Sequence, residues 1–250
     1  MLKRSKISIL LFFLIIPILP STVSPYVLPS SQIIAFMSNK FATVRTLTIT
    51  QHTNVRDIHQ EKAKAFSEFV SLRSPYLYRS EIPDQPGKRL IIHNGLETLK
   101  IIDKKITYDG ASYDLIYHFL FLSHDPSQLL KMLQGVGINT EKTSLTRFEG
   151  KIAYLIGEKN EGSARLIIDK ELFLPLFLKY GDYRFHFSDY SEYMEHVWYP
   201  FQIVYSYKGK VTEKYTATDI KANLPIDVSL FDIPQIRAKF SNGEPEKEKE

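Results

Sequence analysis

The chain has 250 residues and no cysteine, which excludes disulfides, thiolate metal sites, Cys nucleophiles and a lipid-modified N-terminal Cys. Its formal charge of +4 owes much to Lys3, Arg4 and Lys6, without which it falls to about +1. No basic stripe interleaved with aromatics is visible, so no nucleic acid is expected as a partner. Aromatics make up 13% of the residues, nearly all Tyr and Phe, a bias that favours strands.

In chain order, residues 1–24 read as a secretory signal segment. Three cations precede an apolar run from Ile7 to Leu19, and small polar residues follow. That run is short and interrupted by Pro17, which argues against a membrane span. Pro25 would hinder cleavage after Ser24, so an uncleaved, membrane-tethered form stays open. A helix capped by Ser30 or Ser31 is expected next, with Ile33, Ile34, Met37 and Phe41 on one side. Strands broken by turns should then fill 44–103, with Asn94-Gly95 as the clearest hairpin signal. After Gly110 the period changes. "SYDLIYHFLFLS" is helical or mixed, and "DPSQLLKMLQGVG" is a helix with Asp125 as cap, Pro126 in its first turn and Leu129, Leu130, Met132 and Leu133 as its apolar face. Six or seven further strands complete the chain.

The fold class read from this is α+β, mainly β: a large curled antiparallel sheet, an incomplete barrel, with a few helices at 31–42 and 113–134 covering its concave face. One domain is expected over 25–238, with a disordered charged tail at 239–250.

One stretch resists simple alternation. From Leu172 to Leu178 the chain is apolar on both faces, whereas an antiparallel hairpin usually keeps one face for water. Strict alternation puts Leu174, Leu176 and Leu178 together, beside Leu166 and Ile168 of the preceding strand and Tyr183, Phe185 and Phe187 of the next. Such a surface either lines a cavity for an apolar ligand or is filled by a packed core.

No catalytic residue set emerges. The seven histidines show no metal-binding spacing and read as surface or hydrogen-bonded side chains. There is no G-x-S-x-G elbow and no Gly-rich phosphate loop. Glu192 and Glu195 near Trp198 read as charged turn residues. No catalytic group, metal or cofactor is expected, and the chain does not read as an enzyme.

Four phrases, "SLRSPYLYRSEI", "LIIHNGLETLKIID", "ARLIIDKELFLPLFLKY" and "ATDIKANLPIDVSLFDIP", together resemble the periplasmic lipoprotein-carrier family (LolA-like, with its sister receptor LolB). The family commonly has an aromatic where Leu99 and Lys100 stand here. The resemblance implies an incomplete barrel whose helix-covered apolar space holds acyl chains in transit. It implies an exported, periplasmic lipid or lipoprotein carrier serving outer-membrane lipoprotein sorting or lipid transfer, with an acylated lipoprotein or lipid as cargo and an inner-membrane donor and outer-membrane acceptor as partners. The alternative is a membrane-tethered interaction or sensor module of the same fold without transport. Expected cavity-lining residues are Leu115, Phe119, Leu129, Leu133, Leu166, Ile168, Leu174, Leu176, Phe185 and Phe201. By the same resemblance Arg73 would contact the helical lid.

Overall fold

Thirteen strands hydrogen-bond in the order β6-β5-β4-β3-β2-β1-β13-β12-β11-β10-β9-β8-β7. The computed structural model describes residues 27–56, 63–83, 85–111, 114–193 and 197–241. The expected signal segment lies outside these residues. Among them no helix is long and apolar enough to cross a membrane.

Two meanders build the sheet. The first runs through β1 (Thr46–Arg56), β2 (Ala63–Arg73), β3 (Leu77–Glu81), β4 (Arg89–His93), β5 (Thr98–Ile102) and β6 (Lys105–Gly110). The second runs through β7 (Thr143–Phe148), β8 (Lys151–Gly157), β9 (Arg165–Asp169), β10 (Pro175–Tyr180), β11 (Tyr183–Tyr193), β12 (Val197–Tyr207) and β13 (Lys210–Ala222). They join where β1 pairs antiparallel with β13, Leu47 opposite Ala222 and Ile49 opposite Ile220, with a bulge at Thr50/Gln51. β6 and β7 remain as edges, so the sheet does not close. The Asn94-Gly95 turn is present: Asn94 Oδ1 accepts the N–H groups of Leu96 and Glu97, and Gly95 sits at φ 94°, where a side chain would be strained.

The N-terminal helix and the helices between β6 and β7 cover one face, called the inner face here. α1 (Ser30–Phe41) buries Ile33, Ile34, Met37 and Phe41, the 3.6-residue stripe expected of it. Its N-cap is Pro29, with no side-chain cap, so neither Ser30 nor Ser31 takes that role. Between the edges β6 and β7 the chain crosses the inner face as a strap. This comprises a 3₁₀ turn (Ile116–His118), α2 (Phe119–Leu122) and α3 (Pro126–Gly135). Asp125 caps α3 through the N–H groups of Ser127 and Gln128. Phe121 of the strap is fully buried. Its ring meets Phe41 at 5.4 Å, Phe187 at 5.5 Å and Tyr199 at 5.3 Å, edge-on or tilted as aromatic quadrupoles prefer.

The outer face has a separate, smaller core. Leu90, Ile92, Leu99 and Ile101 of β4 and β5 are buried there beneath Phe231 and Ile233 of the C-terminal segment. That segment ends in α4 (Ile233–Ser241), whose Arg237 clamps Asp109 and Glu97. α4 therefore enters the stretch expected as a tail from 239 onward, and Phe240 packs on this cluster. Residues 242–250 lie outside those described.

The two-faced stretch from Leu172 to Leu178 is explained by a bulge. Pro175 pairs with Ile168 but Phe177 with Ile167, so the register slips at Leu176. Leu174 and Leu178 are buried in the inner core, whereas Leu176 is half-buried and stands outside it. The expectation that all three share one face is thus corrected; strict alternation fails wherever one strand carries an extra residue. Phe173, at φ 57°, packs on Phe36 of α1 at 4.8 Å and on Tyr154 at 5.9 Å. Phe177 is on the outer face, 5.7 Å from Phe148 and beneath the Arg165 guanidinium. Helix α1 covers one side and neighbouring side chains the other.

Phe121→Ala should cost about 3–5 kcal/mol, read from the shift of a chemical denaturation curve. A loss below about 1 kcal/mol would mean that the strap does not belong to the cooperative core.

Candidate functional site on the helix-covered face

The inner face divides into three zones. Beneath α1, α2 and α3 lies the packed zone. Leu115, Leu129, Leu133, Leu166, Ile168, Leu174 and Phe185 belong to one continuous buried cluster there. Phe119 is half-buried at its margin, 5.7 Å from Tyr76. Two expected lining residues stand apart: Leu176 at its bulge, and Phe201, which is 38% exposed. In this structure the space between helices and sheet is occupied by side chains of Phe41, Phe121, Phe187 and Tyr199. A groove of about 530 Å³ lies elsewhere, between the start of α1, α3 and the beginning of β7, lined by Val27, Pro29, Ser30, Leu130, Gln134 and Thr143 among others. None of the ten expected lining residues contributes to it.

The second zone is a row of stacked rings on the ends of β10, β11 and β12. Tyr117 of the strap stacks on Phe185 at 4.5 Å, Phe185 on Tyr205 at 5.0 Å, and Tyr183 lies 6.3 Å from Tyr205 and 5.3 Å from Tyr207. Tyr180 joins the row at 5.3 Å from Tyr183. Burial increases inward: Phe185 is fully enclosed, Tyr205 is 9% exposed, and Tyr183 and Tyr207 are half-buried. The row forms a track of aromatic surface from the sheet's end to the core. Burial pushes the phenols of Tyr180, Tyr205 and Tyr117 upward, so they stay neutral and suit an apolar guest.

The third zone is ionic and has no local signature in the sequence. Glu68 of β2 is fully buried, with one carboxylate oxygen bonded to Arg89 of β4. Its other oxygen accepts from Thr53 at 2.8 Å and Gln51 at 3.1 Å. Arg89 also donates to Glu213 of β13 at 2.8 Å, and Glu213 accepts the Tyr215 hydroxyl at 2.9 Å. Burial opposes the Arg89 charge, but Glu213 and Glu68 outweigh it and hold its pKa above the ordinary value. No local pattern announces this triad, because its members lie on three strands. Alternation gives the one hint: Glu68 shares the inner parity of Val70 and Leu72.

His118 is a correction. It is buried, and neither ring nitrogen has a partner. Its ring lies 4.3 Å from Tyr78 and 3.8 Å from Tyr117. Burial, with His93 adding to it, pushes its pKa well below the usual value, so it is neutral in the fold. Arg73 also differs from expectation. It donates to the Ile226 carbonyl at 3.0 Å, in the C-terminal segment on the outer face. The strap is held instead by Ser74, whose hydroxyl donates to the Leu122 carbonyl at 3.0 Å. Glu192 is exposed on β11, and Glu195 lies outside the described residues. Among the described residues no group of three or more His, Asp or Glu side chains could hold a metal ion.

Comparison with solved structures matches this arrangement of open sheet and helical strap. A LolA superfamily protein from Nitrosomonas europaea aligns with 84% of this chain and 100% of its own, at TM-score 0.53 and 8% identity. The fold is LolA-like. A DUF1329 family protein from Desulfovibrio piger covers 82% of this chain and 97% of its own at TM-score 0.55 and 11% identity. A putative outer membrane lipoprotein-sorting protein domain from Vibrio parahaemolyticus covers 83% and 99% at TM-score 0.52 and 9% identity. No protein-family model and no curated protein matches the sequence. The LolA-like fold is thus carried here by a sequence far from these neighbours.

Two measurements test this site. Removing Glu68 as Glu68→Ala leaves Arg89 short of a buried counter-charge and should cost about 3 kcal/mol, seen as a lower denaturation midpoint. His118→Phe removes two unsatisfied buried nitrogens and should add about 1 kcal/mol at pH 7.5. A base neutral in the fold binds protons only when unfolded, so the native protein loses stability as pH falls below about 6.5, until the folded-state pKa is reached. In His118→Phe the loss between pH 7.5 and 5.5 should shrink; an unchanged pH slope would remove His118 as its source.

Proposed function

We propose that this protein is an exported envelope carrier that takes the acyl chains of a lipoprotein or lipid onto the inner face of its LolA-like sheet. The observation that carries the reading is the nature of the cover. The apolar inner face is closed not by a second sheet but by short helices, α1 and a strap tied to both edges. Such a lid can separate without breaking a strand pair. The aromatic track from Tyr207 and Tyr183 to Phe185 and Tyr117 supplies an entry lined by rings. An acyl chain of about fifteen carbons gains roughly 10 kcal/mol on burial, enough to compete with a bilayer from which it was drawn. Outer-membrane lipoprotein sorting, the process for which the Vibrio neighbour is named, is one this would serve. An inner-membrane donor and an outer-membrane acceptor would give the transfer its direction, and the periplasm is the compartment that follows.

A second reading has its own observation. The fully buried rings of Phe41, Phe121 and Tyr199 leave the covered zone tightly packed, as suits a membrane-tethered interaction module that never opens.

Binding of a fluorescent sixteen-carbon acyl probe separates the two. The carrier reading expects saturable uptake with one probe per protein. Tyr183→Arg, at the half-buried end of the track, should reduce uptake at least about tenfold while leaving the melting temperature nearly unchanged. No uptake by the native protein, together with a clean native mass after gentle purification, would favour the interaction module.

A further inference from the structure

One register row on the outer face places three cations side by side. Arg165 of β9 lies opposite Lys179 of β10, and Lys179 lies opposite Arg184 of β11. Like charges directly opposite one another destabilise a sheet. Among the described residues none of the three is ion-paired. Two are fixed by backbone instead. The Lys179 ammonium is buried and bonded to the carbonyls of Gly162 and Gly181. Arg165 donates to the carbonyls of Lys159 and Asn160 at 3.2 and 2.9 Å. Arg184 is exposed.

On β12 the row ends at Ser206, opposite Arg184, and further cations stand on the next hairpin tip. The Lys208 N–H donates to the Asp182 carbonyl at 3.1 Å, which holds the β12–β13 turn against the β10–β11 turn. Lys208 and Lys210 are exposed, and Val211 beside them is 46% exposed. The Lys208 ammonium sits 5.4 Å over the Tyr207 ring, which is 5.3 Å from Tyr183. Within these two tips Asp182 is the one acidic residue; in the neighbouring 158–164 loop Lys159 and Glu161 offset each other, and Glu158 pairs with Lys142 at 2.7 Å.

We propose that the β10–β11 and β12–β13 tips dock onto an anionic bilayer surface through Arg184, Lys208 and Lys210, with Tyr183, Tyr207 and Val211 at the headgroup level. The charges are spread over two tips rather than converging on one point, which suits a field of headgroups more than a single phosphate. Tyrosines beside them present an apolar ring and a polar tip, the chemistry of a membrane–water interface. Basic clusters are drawn to anionic lipid over about a Debye length. The docking rests on the charge and ring pattern alone. To the carrier reading it adds the direction of entry, because the same tips bear the outermost rings of the aromatic track.

The test is flotation of the full chain with vesicles of phosphatidylcholine, alone or with about 30% phosphatidylglycerol. Binding is expected to prefer the anionic vesicles and to weaken at least about tenfold between roughly 0.1 and 0.5 M NaCl. The variant Arg184→Glu/Lys208→Glu/Lys210→Glu should weaken it at least about tenfold. Lys131→Glu/Lys151→Glu/Lys221→Glu, exposed residues elsewhere with the same change in net charge, should bind as the native protein does. Circular dichroism checks that both fold, and Lys208→Gln/Lys210→Gln serves as a milder pair. Three results would overturn the proposal: equal loss in both triple variants, indifference to headgroup charge, or release by about 10 mM inorganic phosphate at constant ionic strength, which would mark a discrete phosphate site. Acyl-probe uptake without vesicles is measured in parallel. Lost docking with retained uptake separates this proposal from the carrier reading, and the reverse pattern separates them equally.

Discussion

The architecture depends on a single constraint of connectivity. The last strand of the first meander and the first strand of the second are the two edges of an open sheet, so residues 111–142 must travel from one edge to the other. The short path lies across the inner face. Once there, the segment has to present apolar side chains to the sheet and satisfy its own backbone, which favours short helices over loops. The cover follows from the way the chain gets from β6 to β7. α1 then packs beside the strap through Phe41 and Phe121.

This arrangement also explains why ionic groups tolerate burial on the inner face. The strap and α1 bury the middle of the face with aliphatic and aromatic groups, while β1, β2, β4 and β13 also bring buried polar and charged side chains to it. There Arg89 bridges Glu68 and Glu213, and the two carboxylates take their remaining bonds from Thr53, Gln51 and Tyr215. A buried charge is costly alone and tolerable only within a complete network. The face is therefore graded: ionic where β2, β4 and β13 bring Glu68, Arg89 and Glu213 together, greasy under the helices, and aromatic at the ends of β10 to β12.

Much of this was legible in the sequence because it is local. Alternation in Leu166–Ile168 and Tyr183–Phe187, the Asn94-Gly95 turn and the Asp125 cap each act over a few residues, and each gives the element expected. The open sheet with helices over one face followed from their order. Three features were not legible, each for a physical reason. The slip at Leu176 comes from a bulge, which alternation does not encode. Phe231 and Ile233 pack on the outer face of β4 and β5 because a second apolar surface, distant in sequence, awaits them there, and nothing local in the C-terminal segment says which face it will meet. His118 sits unpaired between two tyrosines because the strap's aromatic packing is worth more than one imidazole's hydrogen bonds.

The pairing of β1 with β13 has a consequence for how the chain reaches this state. Leu47 meets Ala222, so a strand made early waits for one made last, across most of the sequence. Until then β1 offers an unpaired edge with Leu47 and Ile49 on its apolar side, the kind of surface that recruits the wrong neighbour. Such long-range closure is slow. A chain emerging N-terminus first, from a ribosome or through a translocation pore, cannot complete its sheet while its C-terminal strand is still in transit. Escorting the half-finished first meander is therefore a demand written into the topology.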